Sequence, residues 1–114
     1  MLEEDRQRLQ RALEAYLRHC FTRKTAARVG EFAASLGKSP SYLARVFPRV
    51  LGQTVLEALR SRQLIHAEHL LRTTSRPARD IALAAAFGTE ATFHRVFSGL
   101  RGMTPDEYRA KFIK

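Results

Sequence analysis

The segment Leu43-Ala44-Arg45-Val46-Phe47, followed by Gly52-Gln53-Thr54-Val55-Leu56-Glu57, returns fifty residues later as Phe93-His94-Arg95-Val96-Phe97 and Gly102-Met103-Thr104-Pro105-Asp106-Glu107. Arg, Val, Phe, Gly, Thr and Glu hold the same places in both copies. A period of this size marks repeated supersecondary units. The chain is therefore expected to hold two similar modules, the second acting beside the first.

With 114 residues there is room for one compact domain or two small lobes. A unit of about fifty residues buries little core and is marginal alone, so the lobes are expected to share an element. Twenty Lys and Arg against eleven Asp and Glu give a formal charge of +9, and sixteen of the cations are Arg. Such an excess points to an anionic partner, nucleic acid ahead of a membrane surface; the bland alternative is a solubilising charge or an Arg-rich proteome. The single Cys20 excludes an intrachain disulfide framework and a thiolate zinc site. No apolar run approaches the roughly 20 residues of a membrane span, and the start, Met1-Leu2-Glu3-Glu4-Asp5, is acidic where a signal peptide is positive. A soluble, cytoplasmic chain is expected.

Apolar residues at 9, 13, 16, 17, 20 and 21 keep the spacing of one helix face and predict a helix over about 4–20. Val29, Phe32, Ala33 and Leu36 form a shorter stripe that Gly37 ends. Ser39 and Pro40 then offer an N-cap and a first-turn proline, opening a helix with Leu43, Val46 and Phe47 inward. The order recurs downstream: a helix opened by Ser75-Arg76-Pro77 and running through Ala85, a turn at Ala86-Phe87-Gly88, and a Thr89-capped helix with Phe93, Val96 and Phe97 inward. Ile81 aligns with Phe32 at an offset of 49 rather than 50, so the second copy carries one more residue between turn and helix. Two short helices joined by a tight turn have the form of a helix-turn-helix, whose second helix can lie in the major groove of DNA.

Between the modules, Thr54 and Glu57 are spaced as a capping box, repeated by Thr104 and Glu107 with Pro105 at the first helical position. A helix follows from Thr54 to about Thr73. Its apolar residues fall into two clusters, Val55, Leu56 and Leu59 at one end and Leu64, Ala67, Leu70 and Leu71 at the other, separated by Arg60-Ser61-Arg62-Gln63. Each end is expected to pack on a different lobe. Some twenty residues span roughly 30 Å, close to the roughly 34 Å between major-groove faces one turn apart, so this helix can space two recognition helices along one side of a duplex. No strand pattern or low-complexity segment is present. The chain reads as all-α, divided into an N-terminal lobe (1–53), a linker helix (54–74) and a C-terminal lobe (75–114).

With the apolar positions inward, the recognition helices span about 40–49 and 89–98. The first presents Ser41, Ala44, Arg45 and Arg49, the second Glu90, Ala91, His94, Arg95 and Ser98. Arg45 and Arg95 are the leading base readers, because a guanidinium can pair with the O6 and N7 edge of guanine. Ala44 and Ala91 can meet only thymine methyls, and Glu90 can accept from cytosine N4, although a carboxylate at a helix start more often serves the dipole. Helix N-termini bind phosphates, which makes Gln53, Thr54 and Thr104 phosphate candidates beside their capping role, with Lys38 and Arg101 as nearby charges.

These residues resemble the DNA-binding domain of the AraC/XylS family of bacterial transcription regulators. The similarity runs from about residue 9 to 112 and is densest at Ile81-Ala82, at Ala86-Phe87, at Phe93-His94-Arg95-Val96-Phe97, and at Gly102-Met103-Thr104-Pro105-Asp106-Glu107-Tyr108-Arg109. The resemblance implies a seven-helix, two-lobed tandem helix-turn-helix fold that binds an asymmetric site, usually as an activator recruiting RNA polymerase. Most members add a sensor domain; this chain is similar to the stand-alone members, which bind as monomers on the nucleoid, and equally to a DNA-binding fragment of a longer regulator. Three departures stand out. Pro48 replaces a polar or basic residue and is expected to kink or stop the first recognition helix, turning Arg49 away. Ala86 replaces the usual glycine of the second turn, which requires a negative φ or tolerated strain. Ser41 and Ala44 are small where some relatives carry long base-reading side chains.

Other chemistry finds little support. His66 and His69 are three apart on a helix but lack the further ligands of a structural zinc site, and His19 and Cys20, being adjacent on a helix, do not face one another. No Gly-rich phosphate loop, nucleophile elbow or carboxylate pair is present, so neither catalysis nor a cofactor is expected. The competing classes are a basic protein-interaction module, such as an anti-activator, and a non-specific architectural DNA binder.

Overall fold

A computed structural model describes residues 2–112. The outermost positions of the two expected lobes, 1, 113 and 114, lie outside the described residues. Seven α-helices and no strands occur among them: α1 (Leu2–Arg23), α2 (Val29–Ser35), α3 (Pro40–Leu51), α4 (Val55–Thr73), α5 (Ala78–Ala84), α6 (Glu90–Arg101) and α7 (Pro105–Ala110). None is long and apolar enough to cross a membrane.

Local chemistry sets the helix ends. Glu3, Glu4 and Asp5 lie in the first turn of α1 and Arg23 in its last, each complementing the helix dipole. Helix α1 outruns the 4–20 span read from the sequence because Phe21 packs over α4, where its ring stacks on His66. Ser39 accepts from the Tyr42 N–H to start α3, and Thr89 accepts from the Thr92 N–H to start α6. Thr54 and Thr104 both form the full reciprocal capping box, with Glu57 and Glu107. Pro77 serves as N-cap of α5, so this helix begins later than Ser75-Arg76-Pro77 suggested.

Two cores form. The first gathers Leu13, Tyr16 and Leu17 of α1, Phe32 of α2, Leu43 and Phe47 of α3 and Val55, Ala58 and Leu59 of α4, with Phe32 and Phe47 edge to face at 5.9 Å. The second gathers Leu64, Ala67 and Leu71 of α4 with Ile81, Phe87, Phe93, Val96 and Phe97. At about 100° per residue, the 55–58–59 and 64–67–71 stripes emerge on roughly opposite sides of α4. One helix thus closes two cores, the lobes sit on opposite faces of it, and the molecule is drawn out to 48 × 24 × 20 Å. Its radius of gyration, 14.8 Å, exceeds the roughly 13 Å of a compact chain this long. Leu56, grouped with the first stripe by sequence, points outward and is 49% exposed.

One departure resolves differently from expectation and a second takes one of its two alternatives. Helix α3 does not stop at Pro48; it runs to Leu51, twelve residues like α6, and both end on a glycine at φ 73°, ψ 14°. Leu43 and Phe47 anchor it before the proline, Leu51 packs after it, and the Gly52 N–H bonds the Pro48 carbonyl at 3.1 Å. These contacts offset the missing N–H, while the proline ring itself is exposed.

Ala86 takes the strained alternative, at φ 66°. Its counterpart at the 49-residue offset is Gly37, at φ 67°, so both turns use the same left-handed residue after the helix. An alanine there costs roughly 1–2 kcal/mol, and its surroundings explain the choice. Ala86 is fully buried in the first core although it belongs to the second lobe. Its carbonyl accepts from the Ala27 N–H at 2.9 Å and from the Gln63 side-chain amide at 2.8 Å, and the same amide reaches the Ala85 carbonyl at 3.1 Å. The lobes are thus joined directly as well as through α4.

Candidate nucleic-acid interface

The two recognition helices present their expected faces to solvent. Ser41, Ala44, Arg45 and Arg49 are exposed on α3, and Glu90, Ala91, His94 and Arg95 on α6. Ser98 departs from this pattern, because its hydroxyl is buried without a hydrogen-bond partner.

Around α3 the Tyr42 ring organises the cations. Lys38 Nζ lies 4.9 Å and Arg45 Cζ 6.0 Å from its centroid, within the range of cation–π attraction. Tyr42, absent from the sequence-based set, thereby orders a phosphate candidate and a base-reading candidate together. Its half-buried position beside Leu43 gave the periodicity nothing to register.

Around α6 the corresponding support comes from α4. Arg60 lies over the Phe87 ring, with Cζ 5.6 Å from the centroid, and donates to Gln63 Oε1 at 3.1 Å. Burial, and after it the Arg95 guanidinium, push Arg60 below the ordinary arginine value; two like charges are held side by side. With Arg28, Thr89 and Thr92 they line a cleft of about 320 Å³ between the loop after α1 and the start of α6. None of the three arginines forms an ion pair among the described residues, whose pairs are Arg62–Glu14, Arg79–Asp80 and Arg101–Glu68. Cations gathered without carboxylates attract an anion. The sequence signal for Arg60 was the polar interruption of α4, read only as a boundary between apolar clusters.

The remaining candidates divide. Thr54 donates its N–H to Glu57 at 2.7 Å and accepts the Glu57 N–H at 3.1 Å; Thr104 and Glu107 repeat this at 2.8 and 3.0 Å. The Thr104 hydrogen bonds hold the Glu107 carboxyl below the usual carboxylate range. After capping, α4 retains the Val55 and Leu56 N–H groups, whereas α7 retains only that of Asp106, since Pro105 has none. Gln53 stands half-buried at the start of α4. Arg101 is not a free charge: Nε and Nη2 grip the two Glu68 oxygens at 2.9 and 3.2 Å, tying α6 to α4. A bidentate pair of this kind fixes geometry as well as charge.

His66 and His69 gain no further ligands, and no three His, Cys, Asp or Glu converge as a metal set among the described residues. His66 instead stacks on Phe21, and burial, with His69 second, lowers its pKa.

A family model described as a helix-turn-helix domain matches residues 32–111. The chain is 43% identical over 77 residues to the regulatory protein SoxS of Salmonella typhimurium, covering 68% of this chain and 72% of that one. Among solved structures it is similar to the C-terminal domain of AraT, a response regulator from Geobacillus stearothermophilus, with a TM-score of 0.79, 26% identity and coverage of 92% and 86%. The DNA-binding domain of AdpA, a global transcriptional factor solved with a target DNA, shares the fold with a TM-score of 0.78, 23% identity and 91% coverage of each chain. The match across both modules, on a fold with two exposed recognition helices, places the chain in the AraC/XylS family of helix-turn-helix transcription regulators.

Proposed function

We propose that the chain reads an asymmetric, bipartite site in double-stranded DNA as a monomer, α3 and α6 each taking one major-groove block, and activates transcription by recruiting RNA polymerase. The observation that carries this reading is the pair of exposed arginines, Arg45 and Arg95, at equivalent places on two twelve-residue helices joined by a shared core helix. Modules repeated within one chain lack the two-fold axis that makes operators palindromic. Helix α4, 19 residues and about 28 Å long, comes within about 6 Å of the roughly 34 Å between successive groove faces. AdpA, the solved relative with a target DNA, supports duplex DNA as the ligand.

Within this reading Arg45 and Arg95 contact bases, with Ser41, Ala44, Arg49, Glu90, Ala91 and His94 shaping the two surfaces. Lys38, Arg60, Gln53 and the free N–H groups at the start of α4 take phosphates. Arg101 serves as a tether through Glu68, and Thr104 contributes less than Thr54 because Pro105 removes a donor.

Selection of bound duplexes from a random pool at near-physiological salt tests the proposal. Two short blocks about one helical turn apart are expected. Arg45→Ala and Arg95→Ala should each relax one block, at about 1–3 kcal/mol. Binding without a preferred sequence would leave an architectural binder, a palindrome bound by a dimer would overturn the monomeric form, and no binding would leave an interaction module.

A further inference from the structure

Helices α1 and α4 leave an open groove of about 550 Å³. Its apolar surface comes from half-buried Phe21 of α1 and from Ile65 of α4, 58% exposed, over Leu17, which is buried in the first core. Phe21 is braced from beneath by His66, the two rings stacked at 4.2 Å. The rim is cationic: Arg62 is paired with Glu14 at 2.9 Å, whereas Arg18 and Arg72 form no ion pair among the described residues. Arg72 is nonetheless fixed in place, donating to the Tyr108 hydroxyl.

The shape is informative. The lining positions are 14, 17, 18 and 21 on one helix and 62, 65, 66, 69 and 72 on the other, so each wall is a stripe at helical spacing. From 62 to 72 the groove runs about 15 Å, nearly three turns. A compact ligand would leave much of that length wet, whereas the side of a helix with anchors three and four residues apart would cover it. The groove also lies away from the DNA-facing arginines: at about 100° per residue, Arg60 leaves α4 opposite the 62–65–69 stripe. A second copy of the chain is disfavoured as occupant, because each copy carries +9 and like charge opposes association.

We propose that this groove docks an amphipathic helix from another protein, its apolar residues against Phe21 and Ile65 and its carboxylates toward Arg18 and Arg72. The site is independent of base reading and provides a second, protein-directed surface on the same small chain.

The test uses a designed helical peptide of about fourteen residues, long enough to cover the groove, with leucines at three- and four-residue spacing flanked by glutamates. It is titrated into the isotopically labelled chain, with amide NMR shifts as readout. Shifts centred on the facing stripes of α1 and α4 are expected, with a dissociation constant below about 1 mM. Ile65→Glu, at an exposed position that leaves the cores intact, should weaken binding at least about tenfold, about 1.4 kcal/mol. Arg18→Glu should weaken it several-fold, and a peptide with Lys for Glu should not bind. Several results would overturn the proposal: shifts centred on Arg45 and Arg95, equal binding of a scrambled acidic peptide, indifference to Ile65→Glu, or no groove shifts at saturating peptide. Occupation of the groove by octanoate without the peptide would reassign it to small anionic amphiphiles. Self-association abolished by Ile65→Glu would reassign it to a second copy.

Discussion

The two helix-turn-helix modules end in the same recognition helix, yet their turns have opposite surroundings. The first turn is open: Gly37 is exposed, and a side chain added there would meet nothing within 4 Å. The second is buried: Ala85, Ala86 and Phe87 are 0%, 0% and 4% exposed, and a Cβ on Gly88 would stand 3.0 Å from Ala26 Cβ. The repeated modules therefore differ most where they meet. The residue that sets the turn in the first copy has, in the second, become a plug in its neighbour's core. Joining the lobes there gives α6 a fixed place relative to α3, which reading a bipartite site requires.

The largest effect is expected in the recognition helices themselves. Pro48 and Ser98 are equivalent positions, and only the first lacks the backbone N–H. Pro48→Ala restores that bond at an exposed site and should raise the unfolding free energy by about 2–3 kcal/mol, measured by urea denaturation. No gain would mean that the contacts of Leu43, Phe47 and Leu51 already absorb the whole cost.

Next, Gly88→Ala should destabilise by about 2 kcal/mol, combining a left-handed φ of 84° with the approach to Ala26. Gly37→Ala, with the φ but not the contact, should cost about 1 kcal/mol. Equal losses would break the contrast between an open and a buried turn. The smallest effect belongs to the reciprocal change. Ala86→Gly relieves strain but removes a buried methyl, worth about 0.8 kcal/mol, and adds unfolded-chain entropy; stability should move by less than about 0.5 kcal/mol. A large gain would show that the Ala86 methyl contributes little to the first core.

What could be read in the sequence was chemistry confined to neighbours along the chain. Ser39, Thr54, Thr89 and Thr104 announce helix starts because a cap needs only its own next three residues. The 49-residue offset between Phe32 and Ile81 likewise located the extra residue, which lies in the second turn. The joint was not legible, because it unites residues far apart in the chain. Gln63 looked like part of a polar break, yet it is fully buried on the Ala85 and Ala86 carbonyls. Arg60 and Arg101 looked alike as surface cations, but one faces Arg95 without an acid while the other is held by Glu68. In each case the partner, set by tertiary packing, decides the role.

Whether α3 and α6 act at one fixed spacing is decided by measuring affinity for a selected duplex and for the same duplex with one base pair inserted between its blocks. That insertion displaces one block by roughly 3.4 Å and about 35°. A rigid joint gives at least a tenfold loss, about 1.4 kcal/mol, and a smaller loss in Gln63→Leu, where the joint is loosened. Unchanged affinity on insertion in the wild-type chain would contradict it, showing that the lobes find their blocks independently.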